Sequence, residues 1–340
     1  MRVVSTREGL GPLIVLTVVA SVAVLGPGQA IAGDKPPKPP EYGPAPTPPP
    51  PAGQTSMQLK LKGDKGGKVR VGKRVRVLGT VRPWQPGQQV TMTLQRGERT
   101  MKKKVVAPTS DEGGAGQFKF RGPALVEPGH YQASAVYAAD PAKPTTASSP
   151  KFKVRYPSLN RGDRGKDVKL FNRLLDKQGY VPSNGRRFTT RTARAVLAYR
   201  KVHGMARTSR ATSGIFKTLA DGRGAYKLKH PGAGKHVEVS VGRQVMVLAD
   251  DGKAQRTYAV STGKASTPTV RGHFRFYRRQ PGFNAVGMYY SVYFHRGYAI
   301  HGYRDVPARY PASHGCVRSP IPEAVSIYNW VQIGMSIYVY

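Results

Sequence analysis

The spacing of apolar residues changes period twice along this chain, and that limits what it can fold into. From Met57 to about Tyr156 the period is two. Met57, Leu59 and Leu61 alternate with Gln58, Lys60 and Lys62. Val90, Met92 and Leu94 repeat the pattern, as do Tyr131, Ala133 and Ala135, then Phe152, Val154 and Tyr156. Pro83, Pro86-Gly87 and Pro128-Gly129 punctuate the runs. Side chains alternate across a strand, so this pattern predicts short half-buried strands in a small antiparallel β-sandwich over 56–156. From Ser158 to about Gly224 the period turns helical. Val168, Phe171, Leu174 and Leu175 share one face, Ala193, Val196 and Leu197 a second, and Ile215, Phe216 and Leu219 a third. Three short helices over 158–224 follow, with Thr189 or Thr190 and Thr212 as N-caps and Gly179 and Gly204 as stops.

From about 226 to 340 the pattern returns to strands: Val237, Val239 and Val241, then Val245 and Val247, then Tyr258 to Ser261. Tyr289 to Phe294 and Tyr298 to Ile300 predict two strands around a tight hairpin, with Gly297 taking the positive φ. A short helix is predicted over Pro322–Trp330 and a last strand over Met335–Tyr340. The fold class is therefore multidomain and mainly β, with a small α domain between two β domains.

The first 55 residues read differently. Arg2 and Arg7 precede an apolar run from Leu13 to Leu25, and Ala30-Ile31-Ala32 offers small residues before Gly33. This is the pattern of a secretory signal peptide over 1–32. The run is short for an uncleaved anchor, since a span needs about 20 residues. Residues 33–55 hold Pro36, Pro37, Pro39, Pro40 and Pro48 to Pro51, an extended polyproline linker. Export places the protein in the cell wall or outside the cell, or in a periplasm where an outer membrane exists. The 340 residues include 55 Lys and Arg against 18 Asp and Glu, a formal net charge of +37. Such a field suits polyanions. Export argues against nucleic acid as the partner and leaves cell-wall polymers or lipid headgroups, with plain solvation of a dispersed charge as the alternative. The expectation is a monomer with no membrane span after signal removal.

The only cysteine, Cys316, lies in Ser313-His314-Gly315-Cys316-Val317-Arg318, and His301-Gly302 lies upstream. An unpaired cysteine in an exported chain makes no internal disulfide, and a reactive thiol is the leading explanation. The thiolate is the nucleophile, and a nearby histidine can take its proton. His301 at the end of a strand is a rigid place for a base, and Gly302 is expected to let the backbone turn sharply there. The loop 303–312 then returns Cys316 to His301. Gly315 removes a side chain beside the nucleophile, so the N–H groups of Gly315 and Cys316 can approach an oxyanion. A zinc site from Cys316, His314 and His301 lacks a further ligand, so neither metal nor cofactor is expected.

Three resemblances follow. Leu159, Gly162-Asp163-Arg164-Gly165, Val168, Leu174-Leu175, Gly179-Tyr180, Thr192, Ala195-Val196 and His203-Gly204 resemble the peptidoglycan-binding type 1 domain. Ser183-Asn184-Gly185 and Tyr199-Arg200 depart from its pattern. The β region before it resembles bacterial immunoglobulin-like modules. The third resemblance is to the L,D-transpeptidase or YkuD family. It is carried by His301-Gly302 and Ser313 to Arg318, with Ser261-Thr262-Gly263-Lys264, Thr267-Pro268 and Tyr298-Ala299-Ile300 upstream. Ser319 and Val270-Arg271-Gly272 depart from it. This resemblance implies Cys316 as nucleophile, His301 as base and the Gly302 carbonyl as third member. It implies His314 on the oxyanion side, and Ser313, His314 and Arg318 near substrate, with Arg318 holding either local structure or a carboxylate. It also implies peptidoglycan stem peptides as partners, and 3→3 cross-linking through a thioester. Hydrolysis of the same acyl-enzyme and a silent wall-binding protein are the alternatives.

Overall fold

The computed structural model describes residues 55–138 and 142–340. The signal-peptide segment and nearly all of the proline-rich linker lie outside the described residues. The described residues all fall within one compact unit, mainly β with four helices among them.

Ten strands come first: β1 (Ser56–Lys62), β2 (Lys68–Arg70), β3 (Arg76–Arg82), β4 (Val90–Arg96), β5 (Arg99–Val106), β6 (Thr109–Ser110), β7 (Gly116–Arg121), β8 (Gly129–Tyr137), β9 (Thr145–Ser148) and β10 (Phe152–Arg155). One sheet runs β1-β3-β7-β6, the other β2-β10-β8-β4-β5 with β9 on β8. The pairings are antiparallel except β2 with β10. The period-two residues Val77, Val81, Val90, Met92, Leu94, Phe118, Phe120 and Tyr131 are buried together, while the intervening Lys and Arg face outward.

Three helices follow: α1 (Lys166–Lys177), α2 (Thr190–Val202) and α3 (Ser213–Ala220). Thr189 and Thr212 are N-caps, their hydroxyls accepting from the N–H groups of Thr192 and Ile215. Gly179 and Gly204 lie just beyond helix ends at φ +78° and +62°. Phe171 stacks on Phe188 and meets Phe216 edge-on. These helices join the strands before them closely. Tyr156 stacks on Phe216 at 4.6 Å, and Arg70 pairs with buried Asp167 at 2.7 Å.

The last region holds β11 (His236–Ser240), β12 (Val245–Asp250), β13 (Lys253–Ala259), β14 (Gly272–Arg275), β15 (Arg278–Phe283), β16 (Tyr289–His295), β17 (Tyr298–Tyr303), β18 (Val317–Pro320), α4 (Ile321–Trp330) and β19 (Ser336–Val339). They form a β13-β12-β11-β19-β14 sheet and a β15-β16-β17-β18 sheet. Val237, Val239, Met246, Leu248, Val292, Phe294, Ile300, Val317 and Ile337 make a common core.

Two local expectations are corrected. At the β16–β17 turn the positive φ belongs to Arg296, at 45°, and not to Gly297. Gly302 makes no turn: β17 runs through it to Tyr303. Its missing side chain serves packing instead. A Cβ there would lie 2.7 Å from the Cβ of Ala324, so only glycine lets α4 settle on β17.

The helices also dock on this last region. Gly179 accepts from the Thr257 N–H at 2.7 Å, and Tyr180 bridges to Thr257 on β13. This covers the outer edge of the five-stranded sheet, which would otherwise present unpaired backbone groups. Val245, Val247 and Ala259 belong to the same buried cluster as the α2 residues Ala195, Val196 and Ala198. Arg191 of α2 pairs with the buried Glu323 of α4 at 3.0 Å.

Candidate active site

The site forms on the parallel pair β17–β18, where Ile300 opposes Val317, His301 opposes Arg318 and Gly302 opposes Ser319. Alternate residues share a face, so Ala299, His301 and Tyr303 lie on the same side as Arg318. Cys316 stands one residue before β18, and its sulfur meets β17 directly: the Ala299 N–H donates to Sγ at 3.4 Å. The thiol in turn points at the Gly297 carbonyl oxygen, 3.8 Å away. The topology thus brings together two residues fifteen apart in sequence. It does not hydrogen-bond them to each other.

His301 is 3 % exposed. Its Nδ1 lies 3.0 Å from the Gly302 carbonyl oxygen. A carbonyl can only accept, so Nδ1 carries the hydrogen and Nε2 keeps its lone pair for another partner. Burial drives the imidazole pKa down to about 4, against the Gly302 contact that raises it and with help from the Arg318 charge. Burial likewise raises the Cys316 thiol, while the Ala299 N–H and Arg318 oppose that shift. The resting pair is therefore a neutral thiol and a neutral imidazole, not an ion pair. Arg318 stacks its guanidinium on the Tyr303 ring at 4.1 Å, and Tyr303 meets His301 edge-on. Arg318 is thereby held beside both reacting groups by an aromatic platform that sequence reasoning did not identify.

The turn before Cys316 is built by Ser313. Its hydroxyl donates to the Cys316 carbonyl at 2.5 Å and accepts from the Gly315 N–H at 3.1 Å. The Gly315 N–H is thus committed within the turn and is not free for an oxyanion. Among the described residues, the N–H groups of His314 and Cys316 donate to no protein acceptor. Gly315 has a different task. It sits at φ +116°, and a Cβ there would lie 1.8 Å from Cε1 of Tyr298. The ring of Tyr298 packs where any other residue would place a side chain.

Residues 261–267 seat this turn. Ser261 exchanges both backbone hydrogen bonds with Arg318. The Thr262 carbonyl accepts from the N–H groups of Ala312 and Ser313, at 3.1 and 3.0 Å. Thr267 Oγ1 and the Lys264 N–H donate to the Ser313 carbonyl. Ser319, a departure from the family pattern, uses its hydroxyl to hold the His301 carbonyl at 3.2 Å.

This last region is a two-sheet β domain that places a half-buried cysteine and a buried histidine on adjoining strands. Residues 234–339 match the sequence model of the YkuD family, the L,D-transpeptidase catalytic domain. That match spans the C-terminal third of the chain, which is similar to an L,D-transpeptidase catalytic domain. A curated relative, YkuD of Bacillus subtilis (strain 168), is 29% identical over 102 residues. That match takes in 29% of this chain and 62% of the relative's length. The crystal structure of an L,D-transpeptidase from Xylanimonas cellulosilytica covers 54% of this chain and 98% of its own, with 27% identity and a TM-score of 0.49. One from Stackebrandtia nassauensis covers 54% and 94%, with 19% identity and a TM-score of 0.35. Among the described residues no helix is long and apolar enough to cross a membrane.

Proposed function

We propose that the protein is an exported peptidoglycan L,D-transpeptidase that forms 3→3 cross-links through a Cys316 thioester. The observation that carries this reading is the 3.0 Å contact of His301 Nδ1 with the Gly302 carbonyl oxygen. Nδ1–H is donated to the Gly302 carbonyl, which leaves Nε2 as an acceptor on the strand face that Cys316 adjoins. In the reaction Sγ attacks the carbonyl between the third stem residue and the terminal D-alanine. The S–H proton passes to Nε2, and the developing oxyanion meets the free N–H groups of His314 and Cys316. The C–N bond then breaks, and the imidazolium returns the proton to the departing D-alanine amine. An amine of a neighbouring stem attacks the thioester, the thiolate leaves, and the amine's proton restores the thiol.

A resting neutral pair suits this sequence. His301 is too weak a base to ionise the thiol in advance, so proton transfer accompanies attack, when the new S–C bond lowers the cost of losing the proton. Arg318, held over Tyr303, then faces either the substrate carboxylate or the developing charge. The strand region before the helices is proposed as an immunoglobulin-like spacer and the helical region as a peptidoglycan-binding-like module. Both rest on the sequence patterns given above.

Purified protein incubated with a tetrapeptide stem and followed by mass spectrometry tests the reaction. Loss of D-alanine with a dimeric product is the expected result, and tripeptide alone would instead mean hydrolysis. Cys316→Ala should abolish turnover, and His301→Ala should lower it by about 10²- to 10⁴-fold. Equal turnover by Cys316→Ala would overturn the mechanism.

A further inference from the structure

Lys201, the penultimate residue of α2, is 3 % exposed. Its ammonium group does not meet a carboxylate. Nζ donates instead to two backbone carbonyls of the catalytic domain, Val260 at 3.0 Å and Gln244 at 3.3 Å. Burial pulls its pKa down to about 7, with Arg207 adding to the effect. A lysine kept in such a place at that cost has a local task to explain. The two carbonyls it holds lead directly to the nucleophile turn.

Gln244 is the next link. It sits at φ 57°, a left-handed conformation that a residue with a side chain adopts only where its surroundings impose it. Its amide brackets Thr262: Oε1 accepts from the Thr262 N–H at 2.8 Å, and Nε2 donates to Thr262 Oγ1 and to the Val241 carbonyl. Thr262 is itself fully buried. The Thr262 carbonyl holds the N–H groups of Ala312 and Ser313. Ser313 then sets the turn at Cys316 through its hydroxyl. Each link is a hydrogen bond between fixed groups, and no link passes through solvent-exposed side chains.

We infer that Lys201 is a positioning residue for Cys316: through Gln244 and Thr262 it fixes the backbone from which the nucleophile turn hangs. The helical region is then a structural part of the reacting site rather than a tethered module. The inference rests on the reading of Cys316 as the nucleophile, but its physical content, a linkage between α2 and residues 310–318, stands apart from the reaction.

The experiment compares wild type with Lys201→Met, which keeps the length and removes the donors. Hydrogen exchange by mass spectrometry is followed across the whole protein, with kcat and KM for D-alanine release measured alongside. The expected result is faster exchange in 310–318 as well as in 241–262. It is joined by a kcat lowered roughly ten- to a hundredfold at nearly unchanged KM. A role confined to packing would speed exchange only around α2 and 241–262 and leave kcat alone, and that result overturns the proposal. Thr262→Val supplies the coupling test. The double variant should lose little more than the worse single variant, while fully additive losses would break the proposed relay. Should Lys201→Met not fold, Gln244→Leu reads the same relay from its middle link with Lys201 intact. Wild-type exchange in 310–318 there overturns the proposal equally. If wild type releases no D-alanine but the exchange contrast holds, the assigned reaction fails and the linkage stands.

Discussion

Gly315 carries two constraints at once. Its φ of +116° strains any residue with a side chain, and the Tyr298 ring occupies the space a Cβ would need. Backbone strain of this kind costs about 1–3 kcal/mol before the clash is counted. Gly315→Ala should therefore lower the melting temperature and remove nearly all turnover, because the ring and the nucleophile turn must part. A variant with wild-type activity would show that the turn adapts. His301 makes a second testable demand. Only its neutral form accepts a proton, and its pKa is pressed to about 4. The acid limb of kcat/KM should then lie near pH 4, not near the 6.5 of a free imidazole. The sign for stability is separate. Between pH 6.5 and about 4 the unfolded chain binds a proton that the folded site refuses, so stability falls as pH drops through that window. Rates must be read where thermal melts show folded protein, and an acid limb near 6.5 under those conditions would contradict the buried tautomer.

Strand β17 and helix α4 depend on one another through Gly302. A methyl group at residue 302 would meet Ala324 Cβ at 2.7 Å and the Tyr289 carbonyl oxygen at 3.2 Å. Gly302→Ala should push α4 outward and cost about 1–3 kcal/mol, as overpacking does elsewhere. Thermal or denaturant unfolding would measure it. The same displacement should reduce turnover, since the Gly302 carbonyl orients the base. The glycine of the His-Gly pair was legible as important in sequence, but its reason was not. Sequence suggested a turn, whereas the cause is a helix that arrives twenty residues later and lies across the strand. Arg296 was illegible for a similar reason. Which of two adjacent turn residues adopts positive φ depends on how β16 and β17 meet, and glycine next door does not decide it. Helix caps Thr189 and Thr212 were legible, because a cap is satisfied by groups within three residues of itself.

Across the whole molecule the helices and the catalytic sheets share buried surface. Val245, Val247 and Ala259 lie in one cluster with α2, Gly179 and Tyr180 cover the β13 edge, and Arg191 neutralises the buried Glu323. A fragment of residues 226–340 would expose these apolar residues and an open strand edge together. It should melt well below residues 55–340 and associate at high concentration. Equal melting temperatures, with a monomer by light scattering, would mean that the shared surface contributes nothing. Sequence periodicity changes near residue 225 and carries no sign that the two regions share a buried surface. The pattern of an apolar face does not tell which partner will cover it.

The candidate site residues could be named from sequence. His301, Cys316 and the Ser313–Arg318 motif, the periods that separate strands from helices, and the caps are properties of neighbouring residues, and local chemistry is enough to imply them. Other features of the candidate site came from residues distant in sequence. The parallel pairing of β17 with β18, the Tyr303 platform under Arg318, and the Lys201 contact with two carbonyls all arise when separate segments pack. Burial then sets both protonation states. Desolvation acts on a group through everything around it, and no spacing along the chain records that.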